Sequence, residues 1–122
     1  MRVLISAHKD FNDQKLAQQA MLELRRQDPS AVIVVGANKG DKLVGMVWKA
    51  LGGHVVNDEP QFTRGVNRKD AMKARDRRVL SHHNELCISF EIRKHKGWVV
   101  LLAEQRRIPI KRYDTAITIV DA

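Results

Sequence analysis

The sequence lacks the cysteine pairs that stabilise small secreted proteins and the long apolar segments that span membranes. It contains one cysteine, Cys87, which excludes an internal disulfide and a cysteine-based zinc site. Its longest apolar run, residues 98–103, has six residues, whereas a transmembrane helix needs about 20. The chain turns polar at His8, too early for the apolar segment of a signal peptide. We therefore expect a cytoplasmic protein in a reducing compartment, with no membrane partner.

Positive charge is in clear excess. The chain has 22 lysine and arginine residues against 14 aspartate and glutamate residues, a net charge of +8, and an isoelectric point of about 10.1. Such an excess favours anionic partners: nucleotide phosphates, nucleic acid or an acidic protein surface. On charge alone, a basic surface that contacts only solvent is the alternative.

Short apolar runs alternate with amphipathic segments along the chain. We predict strands at 3–5, 31–35, 54–57 and 85–92 and from 108 onward, and an edge strand or an extended tail at 115–120. We predict helices after a cap at Asn12 or Asp13, and at 43–51, 67–82 and 98–107, although 98–103 also fits a strand. This alternation predicts an α/β fold. We expect one domain, residues 1–122, forming a Rossmann-like three-layer sandwich with a mostly parallel five-stranded sheet flanked by helices.

The junction between the second strand and the second helix is the first candidate ligand site. Two glycines four residues apart allow the backbone to approach a ligand, and the free amides of the next helix point toward an anion. The spacing matches neither a Walker loop nor GxGxxG, and a tight strand-to-helix turn explains the glycines equally well. The predicted ligand-binding residues of this turn are Gly36, Ala37, Asn38, Lys39, Gly40 and Asp41.

The end of the first strand borders the same predicted crevice, because ligands of open α/β sheets bind beyond the carboxyl ends of the strands. His8, Lys9 and Asp10 lie there. We predict that they contact the ligand; the alternative for Asp10 is that it orders the following loop.

The third helix carries much of the positive charge. Residues 64–80 contain seven lysine and arginine residues against two aspartates. Lys69, Lys73 and Arg77 fall on one outward side, which is either a solvated face or a surface that binds phosphates. Arg68 and Arg75 project instead with Ala71, Met72 and Val79 on the apolar side. Arg75 is either an internal strut, paired with Asp10 or Asp41, or a ligand contact.

Known catalytic and metal-binding patterns are missing. The sequence has no HExxH, no paired carboxylates and no Gly-x-Ser-x-Gly. His82 and His83 are adjacent and would point about 100° apart on a helix, which is unsuited to gripping one metal. Cys87 lies within an apolar strand and is expected to be inert core. We predict no metal and no cofactor, and we assign no catalytic residue.

These features together resemble the SLOG superfamily of Rossmann-like domains, and most closely its short YspA-like branch, over residues 2–110. After its first strand that family has Gly-Ser-Arg-Asp-aromatic, where this chain has Ala-His-Lys-Asp-Phe at 7–11. After its second strand the family has Gly-Gly-Ala-Arg-Gly-Ala-Asp and then a tryptophan. Residues 36–42 match its glycine spacing, with Lys42 in place of the final Asp unless Asp41 substitutes by a one-residue shift, and Trp48 falls at the corresponding step. Arg75-Asp76 matches a later Arg-Asn. The resemblance implies binding of a nucleotide or nucleotide-derived ligand.

Two departures from the family bear on function. His95-Lys96 stands where the family has Gly-Thr before the last helix. The related LOG enzymes split nucleoside monophosphates into base and ribose phosphate with a Pro-Gly-Gly-x-Gly-Thr-x-x-Glu loop, which has no counterpart here. The resemblance therefore extends to the fold and to nucleotide binding, but not to catalysis.

The predicted function is a small module that binds a nucleotide or nucleotide-derived ligand through the 36–41 turn. One alternative is a nucleic-acid-binding or partner-inhibiting module that uses the 64–80 helix through Lys69, Lys73 and Arg77; with 5% aromatic residues, backbone charge would dominate such binding. A second alternative is a phosphoribohydrolase-like enzyme with His8 or Asp10 as the acid–base group. The nearly all-round apolar fourth helix suggests a homo-oligomer.

Overall fold

The computed structural model describes residues 1–115, which contain five strands alternating with four helices. All strands are parallel and form one sheet in the order β3-β2-β1-β4-β5, which confirms the predicted Rossmann-like α/β fold. The elements are β1 (Arg2–Ala7), α1 (Gln14–Gln27), β2 (Val32–Val35), α2 (Lys39–Ala50), β3 (His54–Asn57), α3 (Arg68–Leu80), β4 (Leu86–Glu91), α4 (Trp98–Gln105) and β5 (Ile110–Asp114).

Each face of the sheet has its own apolar core, because successive residues of a strand point to opposite faces. Val3 and Ile5 of β1 pack in the core under α1 and α2, together with Trp48. Leu4 packs in the core under α3 and α4, together with Val100. The central strands are thus buried on both sides, which explains their continuous apolar runs.

The helix starts differ in how they are capped. Asp13, rather than Asn12, caps α1 by accepting the amide of Leu16 at 3.0 Å. Asn38 and Asn67 cap α2 and α3 in the same way. Gly97 precedes α4 and provides no side-chain cap. Only α4, among the four helices of residues 1–115, therefore begins without a side-chain acceptor for its amides.

Several local predictions need correction. Arg68 and Met72 are exposed rather than on the apolar side of α3. The buried residues of α3 are Ala71, Arg75, Val79 and, at its last position, Leu80, so before the end of the helix the buried stripe has one residue in every four. Met72 lies about 100° around the helix from Ala71, and Arg68 precedes the first buried residue. At β5, Ile108 and Pro109 precede the strand.

Other local predictions are settled or lie outside the structure. The segment 98–105 is a helix and not a strand. Beyond Thr115, the prediction for residues 115–120 lies outside the described residues. No helix within residues 1–115 combines the length and the apolar character that a bilayer crossing requires.

Candidate functional site

Successive strands are added on one side of β1 as far as β3 and then on its other side from β4 onward. The topological switch of the sheet therefore lies between β1 and β4. In such sheets ligands bind in the crevice beyond the carboxyl ends of the strands at this point. The segments that border it are 8–12 after β1, 36–38 after β2 and 92–97 after β4.

The predicted 36–41 segment consists of the β2–α2 turn, residues 36–38, and the first three residues of α2, and it uses much of its hydrogen-bonding capacity internally. The Asn38 side chain accepts the amide of Asp41 at 2.7 Å and donates to the carbonyl of Ala7 at 2.9 Å. The Asp41 carboxylate accepts the amide of Ala7 at 2.9 Å. A Cβ on Gly36 would lie 2.7 Å from Asp41 Oδ2, so this carboxylate packs directly against Gly36. An oxygen of Asp41 therefore lies against Gly36, where the sequence predicts an oxygen of the ligand.

Asp41 also determines the charge inside this turn. Its burial, with 7% of its surface exposed, raises the pKa of Asp41 to about 6, although the amides of Ala7 and Gly36 and the charge of Arg75 oppose that rise. At neutral pH the group is mostly ionised. An anion bound against Gly36 would therefore lie next to a negative charge.

Gly40 has a packing explanation that requires no ligand. A Cβ at this position would overlap the carbonyl oxygen of His8 and lie 3.0 Å from Cβ of Ala7. The start of α2 therefore approaches the end of β1 as closely as a glycine permits. Lys39, in contrast, is exposed, and its amide has no acceptor within residues 1–115.

Two roles were predicted for Arg75, an internal strut or a ligand contact, and its contacts are those of an internal strut. Its side chain is buried, with Nε donating to the carbonyl of Asp58 at 2.6 Å and Nη1 to Asp76 at 3.1 Å. Within the described residues it forms no ion pair with Asp10 or Asp41. Its Nη2 is buried without a hydrogen-bond partner and lies beneath Gly36. The guanidinium of Arg75 thus lies beside Gly36 and Asp58, which directly follow β2 and β3.

The loop after β1 brings its predicted residues to the switch point. His8 accepts the amide of Asp10 on Nδ1 at 3.1 Å, so this short loop is partly ordered by its own histidine. The His8 ring meets the ring of His95 edge to face, with centroids 6.4 Å apart. Lys9 and Asp10 are exposed beyond the strand. The loop after β1 therefore contacts the β4–α4 turn through these two rings, and this contact was not predicted from the sequence.

The β4–α4 turn, residues 92–97, is strongly basic and has an unusual backbone. Arg93 and Lys94 adopt φ values of 53° and 62°, and the amide of His95 donates to the carbonyl of Ile92 at 3.1 Å, which closes a tight turn. Non-glycine residues in this conformation cost on the order of 1–3 kcal/mol each and require support from the surroundings. Asp114 provides support by accepting the amide of Lys94 at 2.6 Å. This turn was not predicted from the sequence as a candidate site, although a run of basic residues directly after a buried strand could have indicated it.

The start of α4 lies over an unusual serine. Ser6 of β1 is 9% exposed, and its hydroxyl has no hydrogen-bond partner within residues 1–115. A Cβ on Gly97 would lie 2.8 Å from Ser6 Oγ, so this hydroxyl sits directly under the helix start. The amides of Trp98 and Val99 have no acceptor in the described part of the chain. Uncapped amides and a free hydroxyl thus meet at the switch point.

Polar side chains continue from Ser6 across the sheet. Ser6, Ser89 and Arg112 are in register on adjacent strands. Ser89 donates to the Glu91 carboxylate at 2.7 Å, and Arg112 donates to both of its oxygens at 2.8 and 2.6 Å. Burial alone would raise the pKa of Glu91, but these bonds outweigh it and hold the pKa below its usual range. The buried Glu91 carboxylate is therefore ionised, and the guanidinium of Arg112 balances its charge.

Cations without ion pairs surround the crevice. Lys9, Lys39, Arg93 and Lys94 are exposed and form no salt bridge within residues 1–115, whereas Lys96 pairs with Glu104 at 2.8 Å. Within the same residues, no three His, Cys, Asp or Glu side chains lie close enough to hold a metal ion. The crevice is therefore suited to phosphate or carboxylate groups.

The remaining candidates lie elsewhere. Lys73 and Arg77 of α3 flank Trp98 of α4, and Lys69 is exposed one turn earlier. Burial raises the pKa of Cys87 to about 12, in keeping with an inert core thiol. Two grooves, of about 530 Å³ between α2 and β3 and about 450 Å³ beside Asn84, include no residue of the 36–41 or 92–97 turns.

No protein-family model and no curated protein sequence matches this chain. The resemblance to the SLOG superfamily stays a prediction that rests on the residues quoted for it.

Proposed function

We propose that the chain binds a phosphate group of a nucleotide or nucleotide-derived ligand in the crevice between the ends of β1 and β4. One observation carries the proposal: the uncapped start of α4 lies directly over the unpartnered hydroxyl of Ser6, at the topological switch of a parallel sheet. Helix starts of this kind attract anions through their free amides and the positive end of the helix dipole.

Each group in the crevice has a distinct role in the proposal. The amides of Trp98 and Val99 donate to phosphate oxygens, and Ser6 Oγ donates a further hydrogen bond. Lys94 supplies charge from the strained turn, held in place by the bond from its amide to Asp114. Lys39 forms the opposite wall. These donors are fixed by strands and a helix start, so little order must be gained when a ligand binds.

In this proposal the β2–α2 turn forms a wall of the crevice and does not bind the phosphate group. Its Asp41 carboxylate already accepts the amide of Ala7 and packs against Gly36. After β4 the Asp114 carboxylate accepts the amide of Lys94, but the amides of Trp98 and Val99 at the start of α4 have no acceptor within residues 1–115. Support for a nucleotide rather than a simple anion comes from the resemblance and from the use of such crevices by nucleotides.

Calorimetry tests this proposal with inorganic phosphate, nucleoside mono- and diphosphates, ADP-ribose and cyclic dinucleotides as probes. We expect at least one nucleotide to bind more tightly than inorganic phosphate. Lys94→Ala should weaken that binding by about 1–2 kcal/mol, because it removes a charge-assisted contact. Ser6→Ala should weaken it by about 1 kcal/mol.

One control variant, at Lys49, and one comparison variant, at Lys39, separate the two turns. Lys49→Ala removes an exposed lysine from the last turn of α2 and should leave the affinity unchanged. Lys39→Ala should have a smaller effect than Lys94→Ala. If the whole panel gives no heat at millimolar ligand, or if Lys39 alone matters, the crevice between β1 and β4 is not the site.

A further inference from the structure

Four cations of α3 remain without ion pairs. Arg75 and Arg78 are tied to Asp76 and Asp58, but no salt bridge within residues 1–115 involves the others. The acids of α3 are also engaged: Asp70 accepts from the capping residue Asn67, and Asp76 from Arg75. We call the α3–α4 basic face the surface formed by Arg68, Lys69, Lys73 and Arg77 of α3 with the aromatic residues Phe62 and Trp98.

The aromatic rings of this face are flanked by its cations. Arg68 Cζ lies 5.3 Å from the centroid of the Phe62 ring, which is 55% exposed. Lys73 Nζ and Arg77 Cζ lie 5.6 and 5.9 Å from the Trp98 ring. Composition alone argued against base stacking, yet two of the six aromatic residues of the chain lie on this face.

We infer that the α3–α4 basic face binds single-stranded nucleic acid. Lys69, Lys73 and Arg77 recur once per helical turn and span about 12 Å along α3. They contact successive phosphates, while Phe62 and Trp98 provide surfaces on which bases stack. Cations that follow the backbone beside aromatic rings are the general basis of single-strand binding without sequence preference.

The same arrangement disfavours an acidic protein as the partner. Protein interfaces concentrate their binding energy in an apolar centre ringed by polar groups. On this face each ring lies beside a cation, so charge occupies the centre. A duplex is also disfavoured, since its paired bases cannot stack on Phe62 or Trp98.

Fluorescence anisotropy of labelled oligo-dT and oligo-U strands, about 15 nucleotides long, measures this binding. With about three phosphate contacts, the affinity should fall about 20-fold between about 50 and 200 mM salt. Reversal of the stripe by Lys69→Glu, Lys73→Glu and Arg77→Glu together should lower the affinity at least as much. The matched control reverses exposed cations on α1 and α2, through Lys15→Glu, Arg25→Glu and Lys49→Glu, and reaches the same net charge. It should retain most of the affinity.

Intrinsic fluorescence gives a second readout that charge alone does not move. Trp48 is 1% exposed, so stacked bases quench Trp98 rather than Trp48. We expect the strands to quench the wild-type protein and the Phe62→Ala variant, but not Trp98→Phe. Unchanged quenching in Trp98→Phe would contradict base stacking at this residue.

Three outcomes would overturn the inference: no saturable binding of either strand at low salt, equal affinities of the two triple variants, or binding to anionic vesicles without binding to the strands. This inference uses the ring of Trp98 and not its amide, so it does not require phosphate binding in the crevice. Ser6→Ala should leave strand affinity unchanged, so the failure of one proposal is distinguishable from the failure of the other.

Discussion

The β2–α2 and β4–α4 turns each join a buried parallel strand to a helix at the same edge of the sheet, but they satisfy their amides differently. In the first turn Asn38 caps the helix, and the Asp41 carboxylate reaches Ala7 of the neighbouring strand. In the second turn Gly97 has no side chain to offer, and the adjacent hydroxyl of Ser6 has no hydrogen-bond partner among residues 1–115. Glycines at a helix start therefore have opposite meanings in this molecule: close packing in one turn and an open amide surface in the other.

The largest difference between the turns should emerge when their glycines are enlarged. Gly40→Ala places a Cβ against the backbone carbonyl of His8, which cannot move without shifting β1. We expect a loss of at least about 3 kcal/mol in the free energy of unfolding. Gly97→Ala meets only the hydroxyl of Ser6, which can rotate, and should cost less than about 1 kcal/mol.

Urea denaturation measures both effects, with Gly45→Ala as the control. A Cβ on Gly45 would lie 3.5 Å from its nearest neighbours, and alanine is the better helix former by about 1 kcal/mol. That variant should be as stable as the wild type or more so. If Gly40→Ala is as stable as Gly45→Ala, α2 does not approach the carbonyl of His8 as closely as in this structure.

The next largest effect concerns the buried charge of the first turn. The pKa of Asp41 is about 6 in the folded protein, against a usual value of 3.8. The folded state therefore holds a proton that the unfolded state releases between these values, so Asp41 favours folding at low pH and loses that contribution as the pH rises from about 4 to 6. Two pKa units correspond to about 3 kcal/mol.

Comparison of the wild type with Asp41→Asn isolates this contribution from the other carboxyl groups, several of which act in the opposite direction. Urea denaturation from acid to neutral pH should show the wild type losing stability relative to the variant up to about pH 6, and a constant difference above it. A difference that does not vary with pH would mean that Asp41 titrates normally.

These two features show how far the sequence alone could lead. The alternation of short apolar runs with amphipathic segments predicted a mostly parallel sheet correctly. The continuous run at 31–35 added a local signature of burial on both faces. The occupant of the 36–41 turn had no such signature, because Asp41 binds Ala7 from 34 positions away. Likewise, nothing local connects Ser6 with Gly97. Contacts between distant strands and helix starts determine which amides are free, and only the fold shows them.

A smaller difference should separate two asparagine caps. Asn38→Ala removes the cap of α2 and also the bond to the Ala7 carbonyl, and should cost about 2 kcal/mol. Asn67→Ala removes an exposed cap at α3 and should cost about 1 kcal/mol. Thermal or urea unfolding of both variants measures the difference, and equal losses would indicate that the Ala7 bond contributes little.

The smallest effect on stability tests the open turn most directly. Gly97 has φ −71° and ψ 160°, which is ordinary backbone for an asparagine cap, and Ser6→Ala removes the Oγ atom that would crowd the new Cβ. In the double variant Ser6→Ala, Gly97→Asn, the new side chain occupies the amides at the start of α4. Unfolding should become harder by a few tenths of a kcal/mol, while the affinity for the nucleotide probe should fall about tenfold below that of Ser6→Ala alone. The two readouts move in opposite directions because the same amides cannot serve a cap and a phosphate. An affinity equal to that of Ser6→Ala would show that the ligand does not use the start of α4.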